Sequence, residues 1–303
     1  MTQPPLVPRS RLDDDGLSSR DVRQACAGGT LERIRHGVYA PPADLDDRAR
    51  HIRLADATLP LVHPDSVLSH ASAAAVHGLP LQTTQLARVQ VTRNGGGHGR
   101  YGPHLILRTS PLGPGDVVIV DGRAVTSLER TAADLARVLG HEWGVITCDA
   151  ALRAGADHEA LLWQVDRDRG RRGNARARRA VLFADARAES PLESLSRVQI
   201  RRAGLPAAEL QFEVRRAGRL VAIADFAWPS LRTIGEADGR IKYDELVPVG
   251  QSAADIVMRE KAREQEIRRQ GFWVVRWGWA EASRPGVLAR LLRDGFALAP
   301  RAG

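Results

Sequence analysis

Cysteine is nearly absent from this chain. Two are present in 303 residues, Cys26 and Cys148, and they lie far apart. That excludes a disulfide framework and a four-cysteine zinc site. Long apolar runs are missing as well. None approaches the ~20 residues that span a bilayer, so no membrane partner is expected. The opening stretch MTQPPLVPRSRLDDDG lacks the apolar centre of a secretory signal, and the expected location is cytoplasmic. Lysine is almost missing too. Of 44 basic residues only Lys242 and Lys261 are lysine, and the other 42 are arginine. A GC-rich genome produces such a bias. Arginine is also the better bidentate ligand for phosphate. The two surviving lysines therefore merit inspection.

What remains is a globular composition, with 43% hydrophobic and 26% charged residues. The length suggests two or three domains. The formal net charge of +8 points to a polyanionic partner, most simply nucleic acid.

Residues 1–16 are polar and proline-rich and read as a loose arm. Ser18 or Ser19 can cap a helix that runs to about Ala27 and ends at Gly28-Gly29. Leu31, Ile34, Val38 and Tyr39 then alternate around a turn at His36-Gly37. A helix, a glycine break and a hairpin make a winged-helix reading, with the helix in the major groove and the wing on the backbone. Arg20, Arg23, Arg33 and Arg35 would supply phosphate or base contacts. The plainer alternative is a packing unit with solvated arginines.

The middle region spans 43–187. Helices are expected at 46–59, 66–77 and 127–139, the last with Thr126 and Glu129 in capping-box spacing. Strands are expected at 87–93, 104–108 and 117–120. His70 and His77, seven apart, read as a structural pair, because no third metal ligand accompanies them. The stretch DRDRGRRGNARARRA carries Arg167, Arg169, Arg171, Arg172, Arg176, Arg178 and Arg179. It reads either as a phosphate-tracking linker or as a solvated basic face.

In the C-terminal third, Ser190, Pro191 and Glu193 form the start of a helix that runs to about Arg202. Strands are expected at 209–215, 219–228 and 231–238, then a helix at 253–270, the strand FWVVRW and a last helix near 283–294. That is α-β-β-β-α-β-α, a mixed sheet flanked by helices. Val221, Ile223 and Asp225 share a strand face, as do Ile234, Glu236 and Asp238. Adjacent strands lie ~4.8 Å apart, so Asp225 and Glu236 converge if register permits. Such an all-oxygen site suits Mg²⁺. Lys242 follows closely and is placed to orient water or to stabilise charge on phosphorus. Trp273, Trp277 and Trp279 read as core and rim packing rather than as base-stacking platforms.

The segments AESPLESLSRVQIRRAGLP, IADFAWP, IGEADGRIKYD and REKAREQEIRRQGFWVVRWGW resemble the PD-(D/E)xK nuclease superfamily. The closer resemblance is to its very-short-patch-repair-endonuclease-like branch, over about 188–280. It implies a restriction-endonuclease-like fold, a Mg²⁺ (or Mn²⁺) ion held by Asp225 and Glu236, a helical acid at Glu193, and DNA as substrate. The superfamily's lysine position, two residues after the second acid, holds Asp238 here. Lys242 is the displaced candidate for that role, and Asp238 is an accessory residue. RQACAGGTLERIRHGVYAPP, VLSHASAAAVHGLPL and VTSLERTAADLA resemble abortive-infection Ei type antitoxins and related transcriptional regulators, over about 17–150. That resemblance implies a winged helix, DNA binding and a cognate toxin as partner.

The expected fold class is therefore α/β, an α+β multi-domain chain. Its parts are a winged helix-turn-helix at 1–42, an α/β region at 43–187 and a nuclease-like domain at 188–303. Two functions follow: a metal-dependent DNA endonuclease, or a non-catalytic DNA-binding regulator or antitoxin of a toxin-antitoxin system.

Overall fold

Ser18 starts the helix that its sequence promises. Its Oγ accepts from the Asp21 backbone N–H, and the Asp21 carboxylate accepts from the Ser18 N–H, a reciprocal cap. A computed structural model describes residues 4–238 and 253–300. It shows a mixed α/β chain that divides into two units, residues 1–135 and 136–303.

In the first unit, strand β1 (Val7–Pro8) leads into helices α1 (Arg9–Asp14) and α2 (Ser19–Ala27), then strands β2 (Glu32–Arg35) and β3 (Val38–Ala40). Both β1 and β2 pair antiparallel with β3. The loose arm expected at 1–16 is thus corrected from residue 7 onward. Val7 pairs with Tyr39 and Pro8 with Val38, and the Arg9 N–H donates to the Gly37 carbonyl at 2.8 Å. Leu12 is buried, which anchors α1. Helix α3 (Asp47–Thr58) packs beside this sheet, where buried Arg53 donates to the Pro41 carbonyl at 2.8 Å.

A six-stranded sheet follows. Its strands are β4 (Ser66–Leu68), β5 (Val89–Arg93), β6 (Arg100–Tyr101), β7 (Leu105–Thr109), β8 (Val117–Val120) and β9 (Arg123–Thr126), in the order β6-β7-β5-β4-β9-β8. The helix expected over 66–77 begins only at His70. Ser66–Leu68 instead form a buried central strand paired with β5 and β9, and helix α4 covers His70–Val76. A short, fully buried segment such as Ser66-Val67-Leu68 cannot be told from a helix start by periodicity alone. Leu68, Val89, Val91 and Val125 form the core with Ala55 and Ala73. His70 (φ +50°) faces the Ser69 hydroxyl, and His77 bonds the Thr126 carbonyl. Thr126 ends β9 and meets Thr131 through its hydroxyl, so Ser127 rather than Thr126 accepts from the first turn of α5 (Leu128–Val138).

The second unit opens with three helices, α6 (His141–Arg153), α7 (His158–Asp166) and α8 (Asn174–Phe183). Helix α9 (Pro191–Arg202) follows, capped by Ser190. Strands β10 (Glu209–Arg216), β11 (Arg219–Trp228), β12 (Thr233–Ala237) and β13 (Trp273–Trp277) lie in the order β10-β11-β12-β13, antiparallel except for the parallel β12–β13 pair. Helix α10 (Ala253–Arg269) connects β12 to β13, and α11 (Trp279–Ala282) and α12 (Val287–Leu298) close the chain. One core joins Ile146 of α6 to Leu192, Leu195 and Ile200 of α9, with Phe226, Trp228 and Trp277 of the sheet. The division into two units falls at 135/136. Helix α6 is bound to the region after 187 by this core and by a buried ion pair of Asp149 with Arg197 at 2.7 Å.

The arginine-rich stretch is a packed turn and helix start rather than a free linker. Arg178 and Arg171 pair with Asp166 and Asp168, Arg167 lies over the Trp163 ring, and Arg176 donates to the Arg137 carbonyl. Gly173 is required there: φ is +82°, and a Cβ would come within 2.1 Å of the Arg137 carbonyl oxygen. Among the described residues, no helix is long and apolar enough to cross a membrane.

Candidate functional site

Of the predicted site residues in the second unit, Glu193, Asp225 and Glu236 sit on regular elements. Glu193 lies in the first turn of α9, where Pro191 presets the backbone and Ser190 caps it. Glu193 is buried at 3% exposure. One carboxylate oxygen accepts from the Glu189 N–H at 2.8 Å, and the other from the Ser190 hydroxyl at 2.7 Å. The Gln211 side-chain amide reaches the first of these oxygens at 3.3 Å. Burial pushes the Glu193 carboxyl above the ordinary range, and the Asp225 charge adds to the rise. The helix cap and the sheet acid are thus electrostatically coupled.

Asp225 lies where β11 changes the cluster it serves. Ala222 and Ala224 pack with Ile234 and Ile267, whereas Phe226 and Trp228 pack with Trp277. On β10, Leu210 pairs with Phe226 and Phe212 with Ala224, and Gln211 between them has φ +51°. On the other side Phe226 pairs with Gly235. Continuing that register by one residue sets Asp225 opposite Glu236. The Asp225 carboxylate accepts from the Ala237 N–H at 2.8 Å. Strand β12 approaches closely because residue 235 is glycine. A Cβ there would lie 2.5 Å from the Trp277 ring and 3.1 Å from Phe226 Cβ.

Glu236 is buried at 7% exposure, and its carboxylate meets two guanidinium groups. Arg263 of α10 donates at 2.6 Å, and Arg276 of β13 lies 3.3 Å from the same oxygen. Arg276 is also 3.2 Å from Glu264. Glu236 and Arg276 are thus register partners across β12 and β13, and Asp225 of β11 reaches β12 at Ala237. Asp238 follows β12, its N–H donates to the Trp277 carbonyl, and it borders a cavity of about 510 Å³ with Arg276 and Trp279. Lys242 lies outside the described residues. Trp277 is core, with its indole N–H donating to Ser196 at 2.7 Å, while Trp279 is half-buried at the cavity.

The acids suit a hard cation in type, and the like-charge coupling of Glu193 with Asp225 is what a cation would relieve. Among the described residues, however, no three of His, Cys, Asp and Glu stand together as a metal-holding group. Asp225 and Glu236 would be the ligands, with Glu193 serving its helix. Glu193 senses the charge of Asp225, Asp225 bonds the residue after Glu236, and the structure adds Gln211 beside Glu193 and Arg263 and Arg276 beside Glu236, which sequence reasoning missed. Two-residue periodicity marks Gln211 as paired with the Asp225 strand only once the register is known. Nothing in the sequence separates Arg263 or Arg276 from the other arginines.

In the first unit, Arg20 and Arg23 lie on α2, and Arg33 and Arg35 on β2. Arg20 and Arg33 are exposed, and the Arg33 guanidinium contacts His36 at 2.9 Å. Arg9, Arg23 and Arg33 surround an open cavity of about 310 Å³, floored by Val22 and Tyr39. Three guanidinium groups around one cavity suit a phosphate.

No family model matches the chain. Two uncharacterized proteins of Mycobacterium tuberculosis, MT2308 of strain CDC 1551 / Oshkosh and Rv2248 of strain ATCC 25618 / H37Rv, are each 34% identical over 157 residues. The matched segment covers 52% of this chain and 55% of each relative, so the chain spans about half the length of the curated relatives it matches. The crystal structure of the RV2827C protein from Mycobacterium tuberculosis shows a TM-score of 0.39 at 15% identity, covering 71% of this chain and 85% of that one. A score below 0.5 does not establish a shared fold.

Proposed function

We propose that the protein is a cytoplasmic DNA-binding protein whose second unit is a metal-dependent endonuclease module. The observation that carries this is the row of Asp225 and Glu236 on adjacent strands, with Glu193 electrostatically coupled to Asp225. The α9-β10-β11-β12-α10-β13 order around that row supports the reading. Helices α1 and α2 with the β2–β3 hairpin supply the DNA contacts, through Arg20, Arg23, Arg33 and Arg35.

Asp225 and Glu236 would hold Mg²⁺ or Mn²⁺, and the ion when bound supplies charge neutralisation and a more acidic water. The chain's own residues do the rest. Gln211 and Ser190 donate to the Glu193 carboxyl and orient it. Arg263 and Arg276 pair with the Glu236 carboxylate and fix it in place. Lys242 retains the proposed role of orienting water or stabilising the phosphate.

A second reading is a non-catalytic regulator or antitoxin with a cognate toxin as partner. One observation favours it: Glu236 is already neutralised by two arginines and Glu193 is used as a cap. Incubation of the purified chain with plasmid, linear and single-stranded DNA, with Mg²⁺, Mn²⁺ or EDTA, separates the two. Metal-dependent cleavage is the expected result. Tight binding without cleavage in any metal would overturn the nuclease reading and favour the regulator.

A further inference from the structure

Three arginines from three elements of the first unit converge on one cavity. Arg9 begins α1, Arg23 lies on α2 and Arg33 on β2, and all three border the cavity of about 310 Å³. Ser19, Val22, Cys26 and Tyr39 complete its lining, and among the described residues no acid borders it. Ser19, Val22, Arg23 and Cys26 share one face of α2 by helical spacing, and Val22 on that face is buried. Arg20 and Arg35 are not part of the lining. The charges at the cavity do not cancel. Arg9 Nη2 meets the Asp13 carboxylate at 2.7 Å and donates to the Leu17 carbonyl at 3.2 Å. Asp13 thus neutralises Arg9, but Arg9 Nη1 is buried with no acceptor among the described residues. Arg33 meets His36 Nδ1 at 2.9 Å, and among the described residues neither Arg23 nor Arg33 pairs with a carboxylate. Two positive charges therefore remain, with a third guanidinium that still has a donor to give. A phosphate monoester carries close to two negative charges at pH 7 and offers three terminal oxygens, which guanidinium groups match in geometry. An oxygen beside Arg9 also relieves the cost of its unused donor. A phosphodiester carries a single charge and leaves the site unbalanced. The volume stands at the lower end of small-molecule sites, and Val22 and Tyr39 offer apolar surface to an organic group.

We propose that this cavity binds a terminal phosphate monoester of mononucleotide size, held by Arg9, Arg23 and Arg33. The monoester is either a free small molecule or the 5′ end of a nucleic-acid strand, and the two share the chemistry that the cavity recognises. The site stands whether or not the second unit cleaves DNA. It uses two of the arginines that the DNA-binding reading assigns to the duplex, so a bound monoester competes with duplex DNA for Arg23 and Arg33.

The test uses the full chain as parent, with Arg9→Gln, Arg23→Gln and Arg33→Gln. Arg11→Gln, at an exposed position of α1 outside the lining, controls for the loss of one charge. Thermal melting reports folding. Isothermal titration calorimetry in EDTA measures thymidine 5′-monophosphate, thymidine and the diester TpT, with no DNA present. The monophosphate should bind, thymidine should not, and TpT should bind at least about tenfold more weakly than the monophosphate. Arg23→Gln and Arg33→Gln should each weaken the monophosphate about tenfold, the loss of a charge-assisted hydrogen bond, and Arg11→Gln should stay within about twofold of the parent. Arg9→Gln should act like them, and if it does not fold the other two decide. A 5′-phosphorylated oligonucleotide and its 5′-hydroxyl twin then identify the source. About tenfold preference for the phosphorylated strand assigns the cavity to a strand end, whereas equal affinity for the two assigns it to a free monoester. Parent-level affinity for the monophosphate in both folded Arg23→Gln and Arg33→Gln overturns the proposal. So does a folded parent that binds neither the monophosphate nor the phosphorylated strand in the millimolar range. If the parent binds no duplex DNA, the DNA-binding reading fails by itself, and the monophosphate titrations still decide the cavity.

Discussion

Replacing Glu193 separates a helix cap from a charged member of the site. Glu193→Ala removes three hydrogen bonds, from the Glu189 N–H, the Ser190 hydroxyl and the Gln211 amide. Each is worth about 1 kcal/mol net. Ser190 still caps the helix, because its Oγ accepts from the residue 193 backbone. Removal of a buried carboxylate returns part of the loss. The net cost is about 2 kcal/mol, or roughly 4–8 °C in Tm for a unit of this size. Glu193→Gln keeps one acceptor and should stay within about 1 kcal/mol of the parent at pH 7. The pH dependence has a definite sign. The native carboxyl titrates above the ordinary glutamate value of about 4.3, so the folded state binds the proton more tightly than the unfolded chain. Its stabilisation is complete below that ordinary value and is lost as pH rises through the native one. The parent should therefore gain stability relative to Glu193→Gln as the pH falls from 7 towards 4. Circular dichroism melts of both proteins across that range measure it. A parent-minus-variant difference that is flat with pH, or Glu193→Ala melting like the parent, would refute the reasoning. If Glu193 also reaches a bound metal through water, Glu193→Gln slows cleavage with no loss of Tm.

Further outcomes are expected. Gly235→Ala forces a Cβ to 2.5 Å from Trp277 and should cost about 3 kcal/mol, with a matching fall in Tm by calorimetry. Arg197→Met strands the fully buried Asp149 carboxylate and should cost about 3–5 kcal/mol, whereas a Tm loss under 1 °C would contradict the buried pair. Mg²⁺ should raise the Tm of the parent and leave Asp225→Asn unmoved, since a ligand of the native state stabilises it. DNA binding should weaken with salt at a log–log slope of about −0.9 per phosphate contacted, and Arg20→Ala with Arg23→Ala should make that slope shallower in a fluorescence anisotropy titration.

Much of the local architecture was legible in the residues alone. Ser18 and Ser190 sit where a cap must, Pro191 follows at the first helical position, and glycines end α2 and α9. These signals act within one helical turn, so a short window of sequence contains them. The α-β-β-β-α-β order of the last third and the placing of Asp225 and Glu236 on adjacent strands came from the two-residue period in the same way. The tertiary structure decided the rest. Val7 and Pro8 became a strand only because Val38 and Tyr39 were there to pair with them. Ser66–Leu68 became a strand because the sheet buried both of its faces. Helix α6 joined the region after 187 because Ile146 and Asp149 found partners on α9. Arg276 became part of the site because the β12–β13 register set it beside Glu236, and Arg263 because α10 carries it to the same carboxylate. Caps, turns and periodicity are set by neighbours a few residues away, whereas register and ion pairing depend on chain segments tens of residues apart. No local signal distinguishes one arginine among 42.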